Sequence, residues 1–163
     1  MARRTFFSFH YERDIWRANV VRNSWVTKDR EAAGFFDASL WEEAKKKGDA
    51  AIRKMIDEGL ANTSVTVVLI GKETASRDYV EYEIEQSARL EKGLLGVRIH
   101  SIALSDKSVD TPGSNPFDNF TVSDGHGGKV SLSTKVLTYD WNAHNGYSKL
   151  GDWIEAAAKA AGR

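Results

Sequence analysis

Short apolar runs of strand length recur along the chain, separated by longer and more polar segments. Residues 5–9 (TFFSF) and 35–36 (FF) form two such runs, and residues 64–70 (SVTVVLI) form a third. The third run is nearly continuous in apolar residues, which is typical of a parallel strand covered on both faces. Residues 94–102 (LLGVRIHSI) and 136–139 (VLTY) complete a set of five predicted strands.

Apolar residues at helical spacing predict helices in the segments between these strands. In the first helix, Trp16, Val20 and Asn23 are predicted to form the buried stripe, which Ile15 and Val21 widen. Residues 38–48 indicate either a loop or an incomplete helix, and Asp49 is predicted to cap the helix that follows it. The predicted helices are residues 12–27, a segment that begins at Asp49, residues 77–92 and residues 146–161.

The alternation of strands and helices predicts an α/β fold. We expect a flavodoxin-like, mostly parallel five-stranded sheet in the order 2-1-3-4-5, with helices on both faces. Residues 105–134 interrupt the alternation, because they contain both prolines and have little periodicity. They predict a loop-rich insertion, with a hairpin around residues 124–128, in a single domain that spans residues 1–163.

In a sheet of this kind, ligands bind beyond the carboxyl ends of the strands, near the point where the strand order reverses. This rule selects residues 8–11, residues 37–41 and the segment from Gly71 to the start of the third helix as the candidate crevice. Glu83 lies on that third helix, at the boundary of its predicted buried stripe. Periodicity alone makes an ordinary surface glutamate the more common explanation for this residue.

Composition restricts the chemistry that the chain can perform. The 163 residues include 23 Lys or Arg, 23 Asp or Glu and no cysteine. The balanced charge argues against a surface for nucleic acid or anionic membranes. The lack of cysteine excludes disulfides, thiolate metal sites and cysteine nucleophiles. No apolar run approaches the length of a signal-peptide core or a membrane span, so we expect a cytoplasmic protein.

Several well-known kinds of site match this sequence poorly. The four histidines lack the spacing of metal ligands, so no metal site is predicted. Residues 123–129 (SDGHGGK) lack the spacing of a nucleotide phosphate loop, and a turn explains them better. A receiver domain needs acidic residues after the first strand, and a flavodoxin needs a phosphate loop there, but this chain has Phe9-His10-Tyr11. The sequence leaves open whether His10 is a solvated loop residue or contacts a ligand.

Several longer blocks are similar to one family. They are RTFFSFHY (4–11), NVVRNSWVT (19–27), FDASLWE (36–42), NTSVTVVLIG (62–71), YVEYEI (79–84), NPFD (115–118) and VLTYDW (136–141). Together these blocks extend over nearly the whole chain, which resembles the TIR subunits of Thoeris antiphage defence systems. The resemblance implies a flavodoxin-like TIR fold and an enzyme for which NAD⁺ is the substrate rather than a tightly bound cofactor.

The resemblance also implies roles for particular residues. Enzymatic TIR domains carry a glutamate in a Trp-x-x-x-Glu pattern on the third helix. Tyr79 and Glu83 stand in that pattern here, with Tyr in place of Trp, which implies that Glu83 is catalytic. Aromatic residues at the crevice would stack on the rings of the substrate, and polar ones would contact its ribose or phosphates. The candidate binding residues are Ser8, Phe9, His10, Tyr11, Asp37, Trp41 and Tyr79.

Thoeris TIR subunits make a cyclic ADP-ribose-type messenger that activates an NAD-consuming partner. The resemblance therefore implies cleavage of the nicotinamide–ribose bond and an effector protein reached through a diffusible nucleotide. A phage-derived trigger and a second copy of the chain are further candidate partners. A non-catalytic TIR scaffold and a nucleotide-binding sensor without turnover remain the alternatives.

Overall fold

The computed structural model describes residues 3–26, 32–36 and 38–163. Its strands are β1 (Thr5–Ser8), β2 (Ala32–Ala33), β3 (Val65–Ile70), β4 (Gly93–Arg98), β5 (Thr121–Ser123), β6 (Lys129–Ser131) and β7 (Thr138–Asp140). Its helices are α1 (Tyr11–Val26), α2 (Ala38–Lys47), α3 (Asp49–Leu60), α4 (Asp78–Arg89) and α5 (Gly146–Ala160). Across these described ranges, no helix is both long enough and apolar enough to cross a membrane.

The main sheet is parallel and has the spatial order β2-β1-β3-β4-β7. This order confirms the prediction of a 2-1-3-4-5 sheet, because β7 is the fifth strand of that sheet. All six residues of β3 are buried, so both faces of the sheet need a cover. Helices α1 and α5 cover one face, where Val21 and Ile154 pack with Val67. Helices α2, α3 and α4 cover the other face, around Phe6 and Ile84.

The insertion between β4 and β7 contains the predicted hairpin. Strands β5 and β6 pair in antiparallel fashion, and Asp124 Oδ1 accepts hydrogen bonds from two backbone N–H groups of the turn between them. Phe117, in the same insertion, is fully buried and packs with Ile84 of α4. The insertion therefore contributes to the core on the α4 side of the sheet.

The predicted buried stripe of α1 is wrong at its centre, although Val21 at its edge is buried. Trp16 and Val20 are 73% and 43% exposed, whereas Arg17 is buried. The Arg17 guanidinium donates to the backbone carbonyl of Ile102 (2.8 Å) and forms an ion pair with Asp110 (3.1 Å). A cation satisfied in this way can lie on the buried face of a helix. Hydrophobic periodicity cannot anticipate this, since both partners lie far along the chain.

The predicted strand at Phe35–Phe36 is also wrong. The strand at this edge is β2, and it pairs with the first two residues of β1. The ring of Phe35 lies 5.0 Å from that of Phe9, and the ring of Phe36 lies 6.3 Å from that of Trp41, measured between ring centroids. These phenylalanines contribute to an aromatic cluster at the end of the sheet rather than to the sheet itself.

The α2 and α3 segments differ from the sequence prediction at their boundary. The segment predicted as a loop or an incomplete helix forms α2. Gly48, with a φ of 107°, is the N-cap of α3, whereas Asp49 was predicted in that position. Asp49 instead lies in the first turn and accepts hydrogen bonds from Arg53 Nε (2.7 Å) and the Tyr79 hydroxyl (2.9 Å).

Candidate active site

A narrow cavity lies at the carboxyl end of β1, between the start of α4 and α2. Five of the candidate residues, from three segments of the chain, line it together: Phe9, Tyr11, Trp41, Tyr79 and Glu83. The remaining lining residues are Phe7, Gly34, Phe36, Arg77 and Val80. The crevice predicted from strand order therefore exists, with aromatic walls and one carboxyl group.

Glu83 is buried deep in this cavity, with only 6% of its surface exposed. Burial raises the pKa of its carboxyl group to about 8, because the charged form loses its hydration. The Ser8 hydroxyl approaches the carboxyl group and opposes this rise in pKa. The geometry falls short of a hydrogen bond, because neither Ser8 Oγ nor Glu83 Oε2 has a hydrogen-bond partner among the described residues.

The sequence of α4 explains why Glu83 faces inward. Val80, Ile84 and Ser87 are buried on the same helix, so Glu83 lies inside the buried face rather than on its boundary. The Ser87 hydroxyl donates to the backbone carbonyl of Glu83 (2.7 Å) and contacts the Thr66 hydroxyl of β3 (2.7 Å). This polar contact fixes the helix on the sheet one turn beyond the cavity.

Aromatic rings from α1, α2 and α4 form one wall of the cavity. The Tyr11 and Trp41 rings stack with centroids 4.9 Å apart, and Tyr79 meets Trp41 edge-on at 6.2 Å. The Tyr11 hydroxyl donates to the backbone carbonyl of Phe36 (2.8 Å), which holds this ring in place. Trp41 Nε1 is buried with no hydrogen-bond partner in the described part of the chain. Flat apolar faces with a spare donor suit a planar heteroaromatic ligand.

The cavity is small, at about 20 Å³. That volume accommodates about one water molecule, whereas sites for drug-sized ligands and cofactors measure about 300–1,000 Å³. The stacked rings of Tyr11 and Trp41 line this cavity together with Glu83. The structure is therefore a closed form of the site, and a ligand larger than water requires part of the aromatic wall to move.

Two of the predicted polar residues, Ser8 and His10, lie outside the cavity lining. Ser8 is fully buried next to Glu83. His10 is half-buried, and its Nδ1 accepts the backbone N–H of Arg13 (3.3 Å). Burial and the nearby Arg77 guanidinium lower the pKa of the His10 imidazole. Asp37 falls outside the described residues.

Arg77 is the charged lining residue that the sequence patterns missed. It stands at the N-cap of α4, within the segment that the strand order selects, and it lines the same cavity as Glu83. Helices prefer Ser, Thr, Asp or Asn at the N-cap, so an arginine at this position is the signal that would have identified Arg77.

The chain is similar to known proteins. A family model described as "Thoeris protein ThsB, TIR-like domain" matches residues 6–103, a range that contains most of β1, all of β2 to β4 and α1 to α4, and Glu83. A protein of Bacillus cereus (strain MSX-D12), named "Putative cyclic ADP-D-ribose synthase ThsB1", is 44% identical over 193 aligned positions. That alignment covers 94% of this chain and 100% of the relative, so it includes the insertion as well as the sheet.

Proposed function

Since the chain belongs to the Thoeris ThsB TIR-like family, we propose that it cleaves the nicotinamide–ribose bond of NAD⁺ and makes a cyclic ADP-ribose-type product. The observation that carries this proposal is Glu83, a buried carboxyl group whose Oε2 has no protein partner among the described residues. It lies at the base of an aromatic cavity at the switch point of the sheet.

The chemistry suits a single carboxylate. When the bond between ribose and nicotinamide breaks, its electron pair leaves with nicotinamide and positive charge develops at the ribose carbon. A carboxylate close to that carbon stabilises the charge, and burial strengthens the effect because water does not screen it. Nicotinamide departs as a neutral molecule, so the protonating acid of ordinary glycosidases is not needed.

Glu83 must be ionised to act in this way. In the closed site its pKa is about 8, so the carboxyl group holds its proton near neutral pH. The cationic nicotinamide ring of NAD⁺ lowers the pKa of a carboxyl group beside it. The substrate itself would therefore generate the charged form of Glu83.

Cyclisation also requires that water be kept from the ribose carbon. A nucleophilic atom of the adenosine half of the same substrate would form the new bond to this carbon, with release of nicotinamide and one proton. The aromatic rings around Glu83 exclude water, and a ring that stacks on Tyr11 or Trp41 would be held close to the reacting carbon. Hydrolysis to linear ADP-ribose is the competing outcome if water enters.

The proposal includes partners that follow from a diffusible product. We expect the product to activate a separate effector protein in the cytoplasm, and a phage-derived trigger or self-association to open the closed site. A scaffold without activity accounts poorly for Glu83, because burial of an unpartnered carboxyl group costs stability that a surface glutamate would not cost.

The direct test is release of nicotinamide from NAD⁺ by the purified protein. We expect Glu83→Gln to lower the rate at least about 100-fold, since it removes the charge that stabilises the transition state. Glu85→Gln is the matched control, because Glu85 lies on the same helix but is exposed. A measurable rate that is equal for the wild type and Glu83→Gln would contradict the proposal, and a loss in both variants would point to a general effect on α4.

A further inference from the structure

Arg77 occupies an unfavourable position for its charge. It is the N-cap residue of α4, and no side chain caps this helix end. The N–H groups of the first turn lack helical partners and carry partial positive charge, so a cation at the N-cap is destabilising. A bound anion at this point would satisfy both the N–H groups and the guanidinium.

The other cations around the crevice have carboxylate partners. Arg13 pairs with Glu73 (3.0 Å), and Lys45 pairs with Glu12 (2.9 Å). No described residue forms an ion pair or a side-chain hydrogen bond with the Arg77 guanidinium, yet the guanidinium is close enough to His10 to lower the pKa of that imidazole. Arg77 therefore has no direct ion-pair partner among the described residues at the rim of the cavity. The opposing charge near it is Glu12, whose carboxyl pKa is lowered mainly by its partner Lys45 and to a smaller extent by Arg77.

The acidic residues near Arg77 on α4 belong to a different surface. Asp78 and Glu81 line a groove with Glu85 on another side of the helix, and this groove does not include Arg77. Arg77 shares its cavity with Glu83, the buried carboxyl group with an unpartnered oxygen. Six residues of helix place the two about 9 Å apart along the helix axis, enough for a ribose to lie between them.

On the basis of the proposed function, we propose that Arg77 and the first N–H groups of α4 bind the diphosphate of NAD⁺. The planar guanidinium forms paired hydrogen bonds with phosphate oxygens, and the helix end adds further donors. Arg77 is thus a specificity-determining residue, which favours dinucleotides over nicotinamide riboside, a ligand that carries the same nicotinamide and ribose but no phosphate.

The test compares ligand binding in a background without turnover. Calorimetry measures the Kd of NAD⁺ and of nicotinamide riboside for Glu83→Gln alone and combined with Arg77→Ser. We expect Arg77→Ser to raise the Kd of NAD⁺ by about 10- to 100-fold and to leave that of nicotinamide riboside unchanged. Arg89→Ser is the matched control, since it removes an exposed arginine from the other end of α4.

A second measurement separates binding from folding. Serine is a better N-cap than arginine, so the melting temperature of the Arg77→Ser variant should be equal to or higher than that of its parent. An unchanged Kd for NAD⁺, or an equal loss for NAD⁺ and nicotinamide riboside, would overturn the role of Arg77. Wild-type protein that neither binds NAD⁺ nor releases nicotinamide from it would instead overturn the proposed function.

Discussion

The proposed function depends on Glu83, and the burial of its carboxyl group makes the stability of the protein depend on pH. A carboxyl group whose pKa is raised on folding holds its proton more tightly in the folded state than in the unfolded chain. The free energy of unfolding therefore decreases as pH rises from the ordinary pKa of 4.5 towards about 8. Residues that reduce stability in this way are typical of functional sites, where they are kept for their chemistry rather than for folding.

Replacing Glu83 by Gln should remove this pH-dependent loss. We expect Glu83→Gln to stabilise the protein by roughly 3 to 4 kcal/mol more at about pH 8 than at about pH 5. Thermal or urea unfolding at the two pH values measures the difference. Asp14→Asn is a useful comparison, because Asp14 is also buried and unpartnered in the described structure but its pKa is raised only to about 6. The gain in unfolding free energy for Asp14→Asn should therefore level off at a lower pH than that for Glu83→Gln. A gain for Glu83→Gln that does not depend on pH would contradict the conclusion that burial raises the pKa of Glu83.

At the scale of single residues, the sequence marked Glu83 as a candidate residue but did not show where its side chain lies. The pattern of Tyr79 and Glu83 identified the carboxyl group, but helical periodicity left it on a boundary. Only the packed structure places it against Ser8, which lies far away in the sequence. Arg77 was missed because no periodic signal marks a residue that lies between a strand and a helix.

Among the elements, α2 is the one that closes the cavity. It carries Trp41 and is connected to α1 by the exposed ion pair of Lys45 with Glu12 (2.9 Å). Exposed pairs of this kind contribute only about 0–1 kcal/mol, so the contact is easily broken. The size of the cavity requires movement, and α2 is the element that we expect to move, although Trp41 and Ala44 pack with Phe6 of β1.

Binding of NAD⁺ should therefore alter the protection of α2. We expect hydrogen exchange of the Ala38–Lys47 amides in Glu83→Gln to change when NAD⁺ is added, because the ring of Trp41 must move to admit the ligand. The amides of α5, on the opposite face of the sheet, serve as the internal control. Unchanged exchange in α2 with NAD⁺ bound would mean that another element opens the site.

The insertion makes a separate prediction at this scale. Phe117 is fully buried against Val80 and Ile84, so it supports the helix that carries the candidate site. We expect Phe117→Ala to cost about 3–5 kcal/mol of unfolding free energy. Urea unfolding measures this loss, and Phe120→Ala, at a partly buried position of the same cluster, should cost less. Equal small effects in both variants would mean that the insertion is peripheral to the core.

For the whole molecule, the alternation of apolar runs and helical segments was enough to predict the sheet and its strand order. Parallel sheets bury their central strands on both faces, so residues 64–70 carried a strong signal. The first helix was misread because Arg17 is buried through partners on the distant insertion. We propose that residues 1–163 act as one domain, because the insertion contacts both faces of the sheet through Arg17 and Phe117.

The balanced charge of the chain and the closed cavity favour a small-molecule function. Arg77 is the cationic residue of the cavity lining, and we propose that Glu83 becomes negatively charged when a cation binds beside it. A dinucleotide that carries both a diphosphate and a cationic ring would engage both residues at once.

The most direct test of the account is mass spectrometry of the small molecules formed from NAD⁺. Extracts of phage-infected cells that express the wild type, Glu83→Gln or Glu85→Gln would be compared with uninfected controls. The proposed function predicts that infected cells with the wild type or Glu85→Gln form a product whose mass is that of ADP-ribose minus one water. Cells with Glu83→Gln should form no such product. The same product at the same level with Glu83→Gln would contradict the central claim.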